Sequence, residues 1–172
     1  MNIESFSDQF KDVKIASGIN FQDQRGTLKK TMYGDKLEEI INPIKEVITS
    51  TSKKNVIRGL HYQKKPGQIK KFVTCSYGEI LDTFVNINPN SSNFKKYGQI
   101  KLKSEDSIAL LVPEDYAHGY SVLSDFAIVT YIQSGNYDPE LDAGYSPFSL
   151  NIDWTVDNPI VSEKDQSLEL LN

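Results

Sequence analysis

From residue 70 onward, the chain alternates between short runs of β-branched and aromatic residues and short groups of turn residues. Runs of this composition predict strands, and the Gly, Pro, Asn, Asp and Ser between them predict turns. Several strands at a spacing of about ten residues indicate a β-sandwich or barrel. A jelly roll agrees with the pattern, because two closed sheets hide strand edges and leave a lined cavity. The predicted strands span 71–77, 79–87, 99–103, 107–112 and 126–133.

Two other parts of the chain depart from this strand pattern. Segment 35–41 has apolar residues at i, i+3 and i+4 and is followed by Pro43, which predicts a short helix. From residue 138 the chain contains three prolines, and Trp154 is its one large apolar anchor, so we interpret it as irregular chain wrapped on the sheets. Segment 162–165 either caps a final short helix or returns to a site. The predicted fold class is all-β, a jelly-roll β-sandwich or barrel with a few short helices.

Composition narrows the class of protein. The 172 residues suffice for one domain, 1–172, with a buried core. A formal net charge of −4 argues against general nucleic-acid binding, which needs a basic surface. Cys75 is the only cysteine, so no intrachain disulfide forms, and its strand-like setting predicts a small buried residue. No apolar run reaches the roughly 20 residues of a membrane span, and residues 1–5 do not begin a secretion signal, so we expect a cytoplasmic protein.

The chain has only two histidines, and each lies close to arginine, glycine or aromatic residues. His61 lies in segment 55–63 and His118 in segment 112–120. An imidazole takes up or releases a proton near neutral pH, which favours a functional site. A neutral histidine hydrogen-bonded at a strand end is the alternative for either one.

Several chemistries are disfavoured by what the sequence lacks. A zinc or iron site needs three or four ligands, whereas the chain has two distant histidines and one cysteine. It has neither a Gly-x-Ser-x-Gly nucleophile turn nor a glycine-rich nucleotide loop. Acid–base chemistry needs only a base, an acid and a cation. His61 is the candidate base and Arg58 or Lys71 the candidate cation, while composition does not choose the acid among nine tyrosines.

Five sequence blocks follow one another in an informative order. They are Phe-x-Asp-x-Arg-Gly at 21–26, Val-Ile-Arg-Gly-Leu-His-Tyr-Gln at 56–63, Gly-Glu-Ile-Leu-Asp-x-x-Val at 78–85, Pro-x-x-Tyr-Ala-His-Gly-Tyr at 113–120, and Tyr131 with Asn-Tyr-Asp-Pro-Glu at 136–140; Ile-Asp-Trp at 152–154 and Ser-Glu-Lys-Asp at 162–165 close the chain. From about residue 20 to its end, the chain thereby resembles the nucleotide-sugar 3,5-epimerases of the dTDP-4-dehydrorhamnose 3,5-epimerase type.

This resemblance implies a cupin-type jelly roll that forms a dimer and uses neither a metal nor an organic cofactor. The implied substrate is a nucleoside-diphosphate 4-keto-6-deoxy sugar. By position, His61 is the general base, Asp165 its carboxylate partner and Tyr131 the acid on the opposite face of the sugar. Lys71 and Arg58 lie by the keto oxygen and the diphosphate. The implied substrate-binding residues are Arg25, Arg58, His118, Tyr137, Asp142, Lys164, Phe21 and Glu46, with Tyr137 stacked on the nucleobase.

Elementary chemistry agrees with these roles. A proton beside a ketone is removable only when the enolate oxygen is stabilised, and an ammonium such as Lys71 does this well in a dry pocket. A carboxylate at Asp165 holds the imidazole tautomer and stabilises the imidazolium. Inversion needs a proton donor across the ring, which the hydroxyl of Tyr131 supplies. Each residue also has a structural alternative: Tyr131 as part of the core, Asp165 as a helix cap and Lys71 as part of an exposed edge. We interpret Glu79 and Asp82 as structural residues.

The chain departs from the family pattern at substrate contacts. Glu46 and Ile48 stand where the family usually has Gln and Asn, and Lys30 stands where it usually has Glu. Isoleucine in place of asparagine removes a hydrogen-bonding partner, which costs about 1–3 kcal/mol for an unpaired buried substrate group. We therefore expect the chemistry to be kept and the preferred substrate to differ.

Three alternatives to an epimerase of activated-sugar and surface-polysaccharide biosynthesis remain. Relatives that move the ketone between C3 and C4 usually carry a second histidine where Tyr62 and Gln63 follow His61. A catalytically silent sugar-binding cupin does not need His61, Tyr131 and Asp165 together. A metal-dependent cupin dioxygenase requires iron.

Overall fold

The computed structural model of the chain describes residues 1–172, apart from the side chains of Lys36 and Glu39. Antiparallel strands form most of its regular structure. Within the described residues, no helix has the length and apolar character needed to cross a bilayer. The strands are β1 Asn2–Ser5, β2 Lys14–Ser17, β3 Ile19–Asp23, β4 Gly26–Lys30, β5 Glu46–Lys53, β6 Ile57–Gln63, β7 Lys71–Tyr77, β8 Glu79–Asn86, β9 Tyr97–Lys103, β10 Ile108–Val112, β11 Tyr116–Val122, β12 Phe126–Gln133 and β13 Asp142–Gly144; the helices are α1 Asp35–Ile40 and α2 Glu163–Ser167, with a 3-10 turn at Ser149–Asn151.

Two antiparallel sheets pack on each other. The first has six strands in the order β1-β2-β10-β7-β12-β5, and the second has five in the order β13-β6-β11-β8-β9. Strands that follow each other in the chain often belong to different sheets, as in a jelly roll. Strands β3 and β4 pair only with each other and form a separate hairpin. The all-β prediction is therefore confirmed.

Apolar side chains from both sheets fill the space between them. Phe84 of β8 and Val73 of β7 have no exposed surface and belong to one buried cluster. The ring of Phe84 makes edge contacts with Phe10 and Tyr116, at centroid distances of 5.1 and 5.8 Å. Removal of apolar surface from water stabilises a fold by about 25 cal/mol per Å², so these side chains hold the sheets together.

The C-terminal segment covers the other face of the second sheet. Trp154 packs there against Leu60 and Ala117. The hydroxyl of Ser121 donates to the backbone carbonyl of Trp154 at 2.7 Å. Strand β11 is consequently buried along its whole length, because it is covered on both faces. The interpretation of the tail as chain wrapped on the sheets agrees with this arrangement.

The five predicted strands correspond to β7, β8, β9, β10 and β12, with ends that agree within two residues. Segment 35–41 forms α1, which ends one residue earlier than predicted, and Cys75 is buried. Strands β1 to β6, β11 and β13 were not predicted. Polar residues and glycines interrupt the apolar pattern of β6 and β11, since part of each strand faces a cavity rather than solvent or core.

The β3–β4 hairpin projects from the sheets and exposes apolar side chains. Every residue of β3 is exposed, and Phe21 and Leu28 have 51% and 62% of their surface accessible. A lone two-stranded hairpin is marginally stable in water, and exposed apolar patches are typical of interaction surfaces. The hairpin is therefore the part of the fold that this chain alone stabilises least.

Candidate active site

Two glycines bring strands β6 and β11 very close together. Gly59 has a φ of +124°, which residues with a side chain rarely adopt. A Cβ atom at this position would lie 2.5 Å from the Cα atom of Gly119 and 2.7 Å from the carbonyl oxygen of His118. In the resulting register His61 pairs with His118 across the two strands. One backbone contact thus explains the glycines of both histidine-containing blocks.

A cavity of about 220 Å³ opens between the sheets beside this contact. Strands β5, β7 and β12 line it from the first sheet, and β6 and β11 line it from the second. The structure therefore brings residues from three of the five sequence blocks to the cavity wall. The predicted site residues that line the cavity are Arg58, His61, Lys71, His118, Tyr131, Tyr137 and Asp142.

His61 is held by a carboxylate from the C-terminal helix. Its Nε2 atom lies 2.8 Å from Oδ1 of Asp165, which is buried. Burial raises the pKa of Asp165, but the hydrogen bond and charge of His61 and the N–H of Gly59 outweigh this and leave it below its ordinary value. An ionised Asp165 fixes the proton of neutral His61 on Nε2, so Nδ1 carries the lone pair of a base.

Helix α2 places this carboxylate. Ser162 caps the helix, and its hydroxyl accepts the backbone N–H of Asp165 at 3.1 Å. Both alternatives for segment 162–165 are therefore realised, since it caps a short helix and also returns to the site.

An ammonium group lies next to the base. Nζ of Lys71 donates to the backbone carbonyl of His61 at 3.0 Å. Burial lowers the pKa of Lys71 to about 8, while the carboxylates of Asp142 and Asp82 oppose this effect. At neutral pH the group is still mostly charged. It can therefore stabilise negative charge that develops inside the cavity.

Tyr131 reaches the cavity from the opposite sheet. It lies on β12, where it pairs with Val73 of β7 and Ile48 of β5. Burial raises the pKa of Tyr131 well above its ordinary value. The phenol is thus protonated at neutral pH, as a proton donor must be. Imidazole and phenol line one cavity from two different sheets, which is the arrangement that inversion at carbon requires.

The second histidine forms a buried pair. Nε2 of His118 lies 2.9 and 3.0 Å from the two carboxylate oxygens of Asp82, and neither residue has more than 3% of its surface exposed. The ring of His118 also meets that of Tyr131 edge-on at 5.8 Å. Burial raises the pKa of Asp82, while His118 opposes the rise. Asp82 thus holds a histidine of the cavity wall, and the interpretation of Asp82 as structural stays a prediction.

Tyr137, Asp142 and Lys164 form the rim of the cavity. Oδ2 of Asp142 accepts hydrogen bonds from Nζ of Lys164 at 2.5 Å and from the hydroxyl of Tyr137 at 3.3 Å. Oε1 of Glu46 accepts the backbone N–H of Tyr137 at 2.9 Å. Glu46 therefore supports the turn that carries Tyr137 and is not one of the lining residues.

Two predicted site residues lie elsewhere in this chain. Phe21 and Arg25 are on the exposed hairpin, where the Arg25 guanidinium binds Asp23. The expectation that they join the site is not met within one chain, because the hairpin does not fold back onto the cavity.

Three hydroxyl-bearing residues near the cavity were not predicted. Ser50, Ser52 and Tyr120 form a hydrogen-bonded group between β5 and β11, in which Ser52 and Tyr120 are buried and Ser50 is half-buried. Tyr120 belongs to the His-Gly-Tyr step of a recognised block, which was the available signal. The serines lie on β5, a strand that sequence reasoning missed.

Among the residues whose side chains are described, His, Cys, Asp and Glu do not gather in groups of three that could hold a metal ion. The expectation that the site uses no metal or organic cofactor stays a prediction.

An imidazole bonded to a carboxylate lies with a phenol and an ammonium group around one cavity. The class of protein that these features define is a jelly-roll protein with a candidate acid–base site. A family model for dTDP-4-dehydrorhamnose 3,5-epimerase matches residues 7–172. The chain belongs to the dTDP-4-dehydrorhamnose 3,5-epimerase family. This confirms the resemblance inferred from the sequence blocks and the prediction of an isomerase of the epimerase type.

Named relatives match over most of their length. The dTDP-4-dehydrorhamnose 3,5-epimerase of Shigella flexneri is 36% identical over 162 residues, which cover 91% of this chain and 90% of the relative. The enzyme of the same name from Escherichia coli K12 is 35% identical over 170 residues, covering 95% of this chain and 92% of the relative.

Solved structures share the fold. The dTDP-4-dehydrorhamnose 3,5-epimerase of Bacillus anthracis, with TDP and PPi bound, has a TM-score of 0.90 at 31% identity and covers 99% of this chain and 100% of its own. A 3,5-epimerase from Legionella pneumophila, in complex with dTDP-4-keto-L-rhamnose, has a TM-score of 0.91 at 30% identity, with 99% and 92% covered. The cupin-type jelly roll is thereby confirmed.

The ionisation of Lys71 provides a direct test of the cavity's polarity. Because burial lowers its pKa, we expect its side-chain NMR signal to titrate with a midpoint near pH 8. The ammonium is therefore present below that pH and lost above it. The spectrum of Lys71→Arg identifies the signal, since only that resonance disappears. A midpoint near the ordinary lysine value of about 10.4 would contradict a buried Lys71.

Proposed function

We propose that this protein inverts C3 and C5 of a dTDP-4-keto-6-deoxy sugar by proton removal and reprotonation on the opposite face. The observation that carries the proposal is that His61 and Tyr131 line one cavity from opposite sheets. The names of the relatives support the reaction, and the sugar nucleotides of the solved structures support the substrate class. We further propose that residues 1–172 act as one cupin domain.

The first step uses His61 as the base. With its Nε2 proton held by Asp165, His61 takes a proton at Nδ1 from the carbon beside the ketone. The resulting imidazolium is stabilised by the adjacent carboxylate, which lies 2.8 Å away. The C–H electron pair moves into the ring and onto the keto oxygen, so an enolate forms.

Lys71 stabilises this enolate. Its ammonium is close to the base and carries positive charge in a partly dry cavity, where charge interactions are stronger than in water. The keto group at C4 adjoins both C3 and C5. One oxyanion site therefore serves both inversions.

Tyr131 returns a proton from the other face. Its hydroxyl is protonated at neutral pH and approaches from the first sheet, whereas His61 belongs to the second. The enolate collapses, a new C–H bond forms and the configuration is inverted. The phenolate that remains must regain a proton before the next turnover.

The remaining lining residues bind the substrate in this proposal. Arg58 binds the diphosphate, for which a guanidinium fork is well shaped, and Lys164 contributes a second cation at the rim. His118 contacts the sugar. Tyr137 has 54% of its surface exposed beside the cavity and stacks on the nucleobase, with Asp142 holding its hydroxyl.

We also propose a homodimer in which the hairpin of one subunit completes the site of the other. The exposed apolar side chains of Phe21 and Leu28 lack cover within the chain, and a partner's surface would supply it. Arg25 at the hairpin tip would then reach the partner's substrate. In such a dimer, Phe21 and Arg25 would both lie at the partner's active site.

The cellular setting follows from the substrate class. We propose that the protein acts in the cytoplasm, in the synthesis of activated deoxy sugars for a surface polysaccharide. Its net charge of −4 agrees with a small anionic substrate in a local basic cavity rather than with nucleic-acid binding.

Solvent-proton exchange tests the acid–base assignment. In D₂O with dTDP-4-keto-6-deoxyglucose, we expect the wild-type protein to incorporate deuterium at C3 and C5. His61→Ala should lose exchange by about 10²- to 10⁴-fold, the usual contribution of a general base. Tyr131→Phe should suppress inversion more than proton removal. Mass spectrometry and proton NMR of the products measure both, and circular dichroism checks the fold.

Tyr77→Phe is the matched control, because Tyr77 is exposed and is not one of the cavity-lining residues. Deuterium at one carbon only would define a single-centre epimerase, and migration of the ketone to C3 would define a ketoisomerase. The absence of any deuterium exchange would indicate a protein that binds the sugar without catalysis. Equal loss of exchange and inversion in Tyr131→Phe would remove that residue from the donor role.

Substrate preference is tested at Ile48. Its apolar side chain lines the cavity and leaves a polar substrate group there unpaired. We expect Ile48→Asn to raise turnover of dTDP-4-keto-6-deoxyglucose by roughly 10-fold, as one recovered hydrogen bond allows. Val47→Asn, on the other face of β5, should change nothing. If the wild type already matches the Escherichia coli relative and Ile48→Asn adds nothing, the prediction of an altered preference is wrong.

Complementation tests the shared site. We expect Arg25→Ala and His61→Ala each to be poorly active alone. A mixed dimer, purified through two different tags, should regain up to about half the wild-type rate, because one of its two sites is complete. His61→Ala mixed with Tyr131→Phe should not recover, since one chain supplies both residues of a site. A monomer in sedimentation, or no recovery in the first mixture, would refute the proposal.

A further inference from the structure

A chain of three hydrogen-bonded hydroxyls runs along the cavity wall. The hydroxyl oxygen of Tyr120 lies 2.9 Å from that of Ser50 and 3.0 Å from that of Ser52. Nε of Arg58 donates to the Ser52 oxygen at 2.9 Å. Tyr120 has no exposed surface and Ser52 has 4%, whereas Ser50 and Arg58 line the cavity. This hydroxyl chain therefore connects the buried phenol of Tyr120 with the cavity at both of its ends.

The chemistry of Arg58 gives this chain a direction. A guanidinium can only donate hydrogen bonds, so the oxygen of Ser52 accepts from Arg58. The one proton of the Ser52 hydroxyl then points to Tyr120. Because Tyr120 accepts this bond, its own proton is available to Ser50 or to another nearby acceptor.

Tyr131 is that second neighbour. The two tyrosines come from facing sheets, on β11 and β12, and pack in the same core cluster. After burial, the nearby side chain of Tyr120 is the next cause that raises the pKa of Tyr131. When Tyr131 has given up its proton, its phenolate is a strong acceptor within this group. A hydroxyl such as that of Tyr120, which is already held in place by its neighbours, stabilises the negative charge of the phenolate without having to reorient.

We propose that Tyr120 is a positioning residue that stabilises the Tyr131 phenolate and returns a proton to it from Ser50. This inference rests on the proposed function. The O–H bond of Tyr131 breaks as the C–H bond of the product forms. The proton of Tyr120 then passes to the phenolate, the proton of Ser50 passes to Tyr120, and Ser50 recovers one from water in the cavity. In each turnover, His61 releases one proton to solvent and the hydroxyl chain takes up one proton from solvent, so the number of protons balances.

The experiment separates proton removal from inversion. In Tyr120→Phe the hydroxyl is lost while the ring still fills its place in the core. Using the D₂O assay with dTDP-4-keto-6-deoxyglucose, we expect inversion to fall about 10- to 100-fold, as when a hydrogen bond to a charged group is lost. Deuterium exchange into unreacted substrate should fall much less, because His61 and Asp165 are unchanged. The ratio of exchange to inversion therefore rises.

Tyr116→Phe is the matched control. Tyr116 lies on the same strand and is buried in the same cluster, but its hydroxyl bonds Asp12 at 2.9 Å outside the cavity. We expect it to leave exchange and inversion at wild-type values. A second variant, Ser50→Ala, interrupts the same proton supply at the cavity, and we expect the same rise in the ratio if Tyr120→Phe fails to fold.

Each outcome is decisive. Wild-type inversion in folded Tyr120→Phe, or an equal fall of exchange and inversion there, would overturn the proposal, because a purely structural hydroxyl does not change their ratio. If Tyr120→Phe does not fold, an unchanged ratio in Ser50→Ala would overturn it in the same way. A wild-type protein without exchange or inversion would instead refute the proposed function itself, so the two failures are distinguishable.

Discussion

The close backbone approach of Gly59 to Gly119 determines where every functional side chain of the second sheet lies. Side chains alternate between the two faces of a strand, so a shift of β6 by one residue against β11 would turn His61 away from the cavity, while His118 kept its place. No residue with a Cβ fits at Gly59 in this register. The same strands carry Arg58 and Tyr120, and the positions of both side chains at the cavity therefore depend on the same contact.

Around this contact the fold places charged groups where water is scarce, and Asp165, Asp82 and Lys71 each have a partner. Asp165 faces His61, Asp82 faces His118, and the Lys71 ammonium is bonded to a backbone carbonyl. Burying a charge is costly unless it is paired and hydrogen-bonded. The lowered pKa of Lys71 shows that part of this cost remains. In the proposed reaction the enolate offsets this desolvation cost, because its negative charge forms next to the Lys71 ammonium.

The C-terminal segment connects stability with chemistry. Trp154 covers the outer face of the second sheet, and helix α2 follows, with Asp165 bonded to His61 and Lys164 bonded to Asp142. Loss of packing at Trp154 would therefore disturb the orientation of His61, although the two residues belong to different parts of the structure. The irregular tail and the regular sheets form one functional unit.

The sequence by itself determined the type of fold and the identity of the main chemical groups. Alternating apolar runs predicted five strands, because those strands have a core face, and the ordered blocks indicated His61, Asp165, Tyr131 and Lys71 together. Only the tertiary structure decided which groups meet. Strands β5, β6 and β11 contain no continuous apolar run, because β5 is largely polar and the other two carry the glycines and polar residues of the histidine blocks. Ser50, Ser52 and the proposed role of Tyr120 therefore left no sign in the pattern. Phe21 and Arg25 carried a clear motif, but they lie on a hairpin that does not reach this chain's own cavity. A motif specifies which atoms are available, whereas strand register and sheet packing specify the distances between them.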